Sequence, residues 1–266
     1  MKVNNMNIKD TILYIKKKHP LLHIRRRHLA WDKKMDKSLL GVGIPMAFLN
    51  MVLSVGSIVT QFVTNGLGTF YVTSQTTGAK LESFFIQPIL SLGSAVSVFA
   101  AQNYGARKYD RVISGSKKTL YLGYIWCVIS CIIVLLFGRY SILLLAGDVS
   151  ETVISNAYMR ILINSLMTFI LVPLVIYKSV LQAVSRTTWT MISGFTEILA
   201  RAGTAFLVLI LLNGMSFISE ETGFFLMCFS NPAAWLFGVL TVMFDYFGMV
   251  KRLKAGKSAT KTVDRI

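Results

Sequence analysis

Glu197 and Arg201 stand four residues apart in an apolar stretch, which puts a carboxylate and a guanidinium on one helical turn. With the acid on the N-terminal side, the order predicts an ion pair that offsets part of the cost of burying both charges. Two roles are open to such a pair: a structural clasp, or a gate lining a cavity. Lys178 and Gln182 also sit one turn apart in another apolar stretch, while Lys80 and Glu82 lie where an apolar run begins and can snorkel towards the outer headgroups. Around these charges run uncharged polar side chains at steps of three and four: Asn50, Ser54, Ser57, Gln61 and Asn65; Ser83, Gln87, Ser91 and Ser94; Asn164 and Thr168; Thr190, Ser193 and Thr204. Each series predicts a polar stripe on one helix face. Such stripes either join helices by hydrogen bonds or line a hydrated interior.

Other chemistry is poorly provided for. Cys127 and Cys131 are one turn apart and Cys228 lies far along the chain, all within apolar runs without a nearby histidine, so they read as small buried hydrophobes and no metal site is expected. His19, His23 and His28 fall among Lys and Arg in a solvated basic segment. No phosphate-binding Gly-rich loop with Gly-Lys-Ser/Thr, no Gly-x-Ser-x-Gly elbow and no His-Glu-x-x-His occurs, so no enzyme site and no cofactor are expected.

The elements that position these residues follow from how charge is segregated. The 266 residues are 54% hydrophobic and only 15% charged, yet 28 Lys and Arg outnumber 12 Asp and Glu for a net charge of +16. Apolar stretches near Leu39–Val63, Phe84–Ala101, Thr119–Phe137, Ile161–Leu181, Trp189–Leu212 and Phe224–Val250 are each long enough to span hydrocarbon as a helix, the second and fourth extending beyond these limits. Alternate connections are basic: Lys16–Lys37 before the first span, Arg107, Lys108, Arg111, Lys117 and Lys118 after the second, Arg186 after the fourth, and Lys251, Arg252, Lys254 and Lys257 in the tail. The intervening ones are uncharged (Asn65–Tyr71), mixed (Gly138–Arg160) or acidic (Glu220 and Glu221). The bias predicts a multi-pass protein of the cell membrane with both termini in the cytoplasm. Basic residues flanking spans are accounted for by anionic lipid headgroups, and no nucleic acid is expected. Met1–Asp36 has no early apolar core of the signal-peptide kind. Pro88, Pro173 and Asn231–Pro232 fall inside spans and predict kinks, whereas Pro45 suits a helix entrance.

Several runs resemble multidrug and toxic compound extrusion (MATE) transporters. Gly43-Ile44-Pro45-Met46, followed by Gln61, Asn65 and Gly68, is similar to the seventh helix of that family. Ala101-Gln102-Asn103-Tyr104-Gly105-Ala106, continuing to Arg111, resembles the Gln-Asn-x-Gly-Ala…Arg signature after its eighth helix. Gly194 with Glu197 and Arg201, then Asn231-Pro232 with Trp235, look like its eleventh and twelfth helices, and Lys16–Lys37 with His19-Pro20-Leu21-Leu22 looks like the linker between its lobes.

The resemblance implies an all-α membrane protein, a bundle of six transmembrane helices matching one lobe of a twelve-helix transporter. Residues 1–37 would be a basic cytoplasmic segment, 38–250 the bundle and 251–266 a basic tail. It implies efflux of xenobiotic organic cations by Na⁺ or H⁺ antiport, with Asn50, Gln61, Asn65, Gln87, Glu197 and Arg201 on the cavity face. Gln102, Asn103, Gly105, Ala106 and Arg111 would shape a cytoplasmic turn in which Gly105 supplies the backbone freedom. The chain looks like a half-length product needing a second six-helix lobe or a homodimer. Leu39–Val63 lacks the acidic residue that some members carry there, and the first helix that bears the coupling carboxylate in others is absent, so no residue is assigned the coupling ion. Two rivals remain: a lipid-linked sugar flippase of the same broad fold, which would need several unpaired Arg or Lys in its cavity, and a non-transporting fragment or membrane assembly partner.

Overall fold

A computed structural model describes residues 32–147, 149–214 and 218–263. The basic segment up to residue 31, with its histidines, lies outside the described residues, as do the side chains of Asn50 and of the tail beyond Lys254. The described chain is helical: α1 Lys33–Leu67, α2 Thr69–Gly105, α3 Tyr109–Ala146, α4 Glu151–Ala183, α5 Thr188–Gly214, α6 Glu220–Met227 and α7 Ser230–Val263. By packing, the chain divides into Met1–Gly43, of which the start of α1 is described, and Ile44–Ile266, which holds everything below.

Five stretches among the described residues are long and apolar enough to cross a bilayer: α2, α3, α4, Thr188–Leu212 of α5, and Glu220–Lys254 across α6 and α7. The expected first span, Leu39–Val63, is helical throughout as the body of α1, which is not among the five. Spans read from hydropathy alone end early. The helices run on past the apolar windows into polar ends, where the backbone ladder has no reason to stop.

α4 is the hub of the bundle, packing against α2, α3 and α7, while α5 pairs with α7. Its burial follows from an apolar face broken by small polar residues, with Val172, Ile176, Val180 and Leu181 in the core. Small residues permit the close crossings: a Cβ at Gly123 would meet Val172 at 2.7 Å. One core cluster joins Ala100, Val112, Val184, Tyr246 and Met249 at one end of the bundle. A second joins Val63, Leu67, Val208 and Phe224 at the other. The α2–α3 and α4–α5 connections and the C-terminal part of α7 therefore share an end, and this is the basic end.

Proline behaves in two ways. Pro88 and Pro173 lie inside α2 and α4, as expected. The sixth span is broken instead: α6 stops at Met227, Cys228 and Phe229 form a turn, and Pro232 falls in the first turn of α7. There its missing N–H would have had no intrahelical partner anyway, so the break carries no lost hydrogen bond.

Candidate functional site

Glu197 does not pair with Arg201. Its Oε1 lies 2.8 Å from Lys178 Nζ on α4, so an expected intrahelical pair is an interhelical one. The reason is on α7. A Cβ at Gly238 would sit 2.8 Å from Glu197 Cγ and 2.9 Å from Oε1, so the missing side chain is the slot the carboxylate occupies. Ser193 Oγ, 3.0 Å from that oxygen and 3.1 Å from the Gly238 carbonyl oxygen, closes the slot. Glu197 is thereby drawn away from the next turn of its own helix.

Arg201 is left over. Among the described residues it makes no ion pair, and its buried Nε has no hydrogen-bond partner. It stands at the divide between two cavities. The first, about 390 Å³, is lined by Gln61, Gln75, Glu82, Gln87, Arg160 and Asn231 with Arg201. The second, about 420 Å³, is lined by Ser54, Lys178, Ser179, Gln182, Glu197 and Trp235, again with Arg201.

The second buried pair was not expected. Glu82 is buried rather than snorkelling, and its Oε2 accepts a hydrogen bond from Arg160 Nη1 at 2.7 Å. Arg160, assigned from sequence to a connection, lies within α4. Gly78 leaves it room, since a Cβ there would come 3.2 Å from Arg160 Cδ. Lys80, by contrast, is exposed. The signal existed: Arg160 adjoins the apolar run beginning at Ile161, where a charge needs a partner. A further pair ties Arg186, between α4 and α5, to buried Asp245 of α7. The hydrogen bond to Asp245 holds the guanidinium above its ordinary pKa. Asp245 is the lone carboxylate of Phe224–Val250, a signal sequence reasoning passed over.

Of the expected cavity residues, Gln61, Gln87, Glu197 and Arg201 line the cavities. Asn65 does not; it is exposed and accepts a hydrogen bond from Gln61 Nε2 at 2.8 Å. Most stripe hydroxyls bond back to their own helix, as Ser91 does to the Gln87 carbonyl and Thr204 to that of Ala200. Ser193 crosses between helices, to the Gly238 carbonyl at 3.1 Å. The α2 stripe of Ser83, Gln87, Ser91 and Ser94 is exposed on the bundle surface.

In the α2–α3 turn, the left-handed residue is Arg107, with φ 58°, and not Gly105. Lys108 N–H bonds to the Asn103 carbonyl at 2.8 Å and Arg107 N–H to that of Tyr104 at 3.0 Å, the paired bonds that close a helix through a residue of positive φ. Gly105 is still helical, and a Cβ there would meet nothing within 4 Å. Gln102, Ala106 and Arg111 are exposed at this end, and Asn103 Nδ2 donates to the Phe99 carbonyl. Ser185, with φ 60°, closes α4 by the same pair of bonds through Arg186.

Comparison with known proteins decides the lineage. The MatE family model matches residues 45–207, from within α1 to within α5. The chain belongs to the MatE family. Over 162 residues it is 30% identical to the Probable multidrug resistance protein YoeA of Bacillus subtilis (strain 168), covering 58% of this chain and 34% of that protein. Its fold is similar to a multidrug resistance MATE family transporter of the MOP superfamily in an outward-facing conformation, with TM-score 0.76, 14% identity, 91% of this chain and 54% of the other. A MOP superfamily transporter from Pyrococcus furiosus Vc1 (DSM3638) gives TM-score 0.77 at 13% identity, over 93% of this chain and 54% of the other. The chain thus spans about half the length of these solved MatE-type structures. The MatE family is one of membrane transporters, not enzymes.

Proposed function

We propose that this chain forms one lobe of a MatE-type efflux transporter, in which a second six-helix lobe faces the two cavities across the exposed polar stripe of α2. The single observation carrying this reading is the placement of five charged side chains, Glu82, Arg160, Lys178, Glu197 and Arg201, around cavities within a membrane bundle. Charge inside a bilayer is retained where it borders water or a solute. The α2 stripe supports the second lobe, because Ser83, Gln87, Ser91 and Ser94 gain nothing from hydrocarbon. By family resemblance the cargo is a xenobiotic organic cation, driven by Na⁺ or H⁺ entry across the cell membrane. The basic end faces the cytoplasm. Asn50, Gln61, Gln87, Glu197 and Arg201 are proposed to belong to the pathway. Two of the three cations are already paired, which leaves a lipid-linked sugar flippase only Arg201 to work with.

The test is dye efflux from cells lacking their own drug pumps and expressing the chain together with the lobe that completes it. Extrusion of ethidium that stops when the Na⁺ or H⁺ gradient is collapsed is the expected result. Retention of dye equal to that of empty cells, with the protein in the membrane, would contradict the reading.

A further inference from the structure

We propose that Arg201 is a recognition point for a carboxylate on the molecule that occupies these cavities. The inference rests on the export reading above and adds the charge class of the cargo. The two cavities carry three cations, Arg160, Lys178 and Arg201, against two carboxylates, Glu82 and Glu197. Both carboxylates are committed, Glu82 to Arg160 at 2.7 Å and Glu197 to Lys178 at 2.8 Å. Arg201 remains with a buried, unbonded Nε and faces both spaces. A half-buried guanidinium whose buried Nε–H is unpaired is costly to keep unless something in the working cycle satisfies it. Its planar fork fits a carboxylate in two parallel hydrogen bonds, a match that an ammonium head cannot make.

The surroundings fit a solute rather than a bare ion. Gln61, Gln87 and Asn231 line one space, and Ser54, Ser179 and Gln182 the other, giving neutral donors and acceptors on either side of the charge. Trp235, largely buried in the core, also lines the second space and gives its wall an aromatic edge that a flat ring can meet. Gly56 of α1 lies beside the guanidinium, where a Cβ would make ordinary contact at 3.4 Å from Arg201 Cδ and 3.7 Å from Nη1. The molecule that fits is aromatic and carries a carboxylate beside its cationic centre, as a zwitterion.

Two rhodamines that differ at one group test this: the cationic ethyl ester rhodamine 6G and its zwitterionic free acid, rhodamine 19. Both are titrated against the purified full chain in detergent, reading dye polarisation and quenching of tryptophan emission. The free acid is expected to bind about tenfold or more tighter than the ester, that factor corresponding to about 1.4 kcal/mol. Arg201→Gln should bring the two affinities together by weakening the acid alone, while Arg201→Lys, which keeps the charge but not the fork, should retain part of the preference. Circular dichroism melting of each variant separates lost recognition from lost folding. Equal affinities in the wild type, a preference for the ester, or a preference that survives Arg201→Gln would each overturn the inference and leave the export reading standing. Binding of neither dye by folded wild-type chain overturns the inference, whereas failure of ethidium efflux in cells is what removes the export reading.

Discussion

Buried charges in this lobe come in two states, and the difference sets what each variant does. Glu82 and Arg160 satisfy one another with little solvent near either, so removing one partner leaves the other uncompensated. Glu82→Gln is expected to destabilise the purified chain by about 3–5 kcal/mol. Replacing both partners, Glu82→Met with Arg160→Met, should recover most of that loss, because no charge is stranded. Thermal unfolding followed by tryptophan emission checks both, and a single variant as stable as the wild type would show the pair to be energetically idle. Sequence disclosed the charges but not their partners. Glu82 and Arg160 are 78 positions apart, and Lys178 and Glu197 are 19 apart on different helices. Helical spacing can report only the neighbour one turn away, and at Glu197 it reported the wrong one because Gly238 opens a slot on a third element.

Among the elements, the membrane segments were legible because hydrocarbon demands long apolar runs, and the first five expected runs proved helical throughout. What hydropathy could not show was the break between α6 and α7. The run from Phe224 to Val250 stays apolar through Cys228 and Phe229, so the turn changes the backbone without changing composition. The α2–α3 turn makes a related point. Glycine is the residue expected where φ is positive, yet the chain places Arg107 there and Gly105 two positions earlier in helical backbone. A left-handed residue with a side chain costs about 1–2 kcal/mol relative to glycine. Arg107→Gly is therefore expected to stabilise the fold by about 1 kcal/mol. Gly105→Ala should be tolerated or slightly stabilising, since it fills open space within a helix. Denaturant unfolding of the two variants decides this, and a destabilising Gly105→Ala would restore the role first read for Gly105.

For the molecule as a whole, the charge segregation that predicted orientation holds within the described bundle: the basic α2–α3 and α4–α5 connections share one end, while Glu220 and Glu221 head α6 and Arg139 pairs with Glu151 at the other. Membership of the MatE family was readable in Gln102-Asn103 and Gly105-Ala106, whereas the cavities were not, because six helices contribute their walls. The account stands on one claim, that those cavities hold water inside a membrane-embedded bundle. In a background with Cys127, Cys131 and Cys228 replaced by serine or alanine, single cysteines at Gln87, Ser179 and Ile132 can be reacted with a water-soluble methanethiosulfonate in membranes. Gln87→Cys and Ser179→Cys border the cavities, whereas Ile132 is 50% exposed within the apolar span of α3. Modification is predicted at 87 and 179, slowed by a bound dye, with little at 132. Reaction at 132 with none at 87 or 179 would contradict the claim.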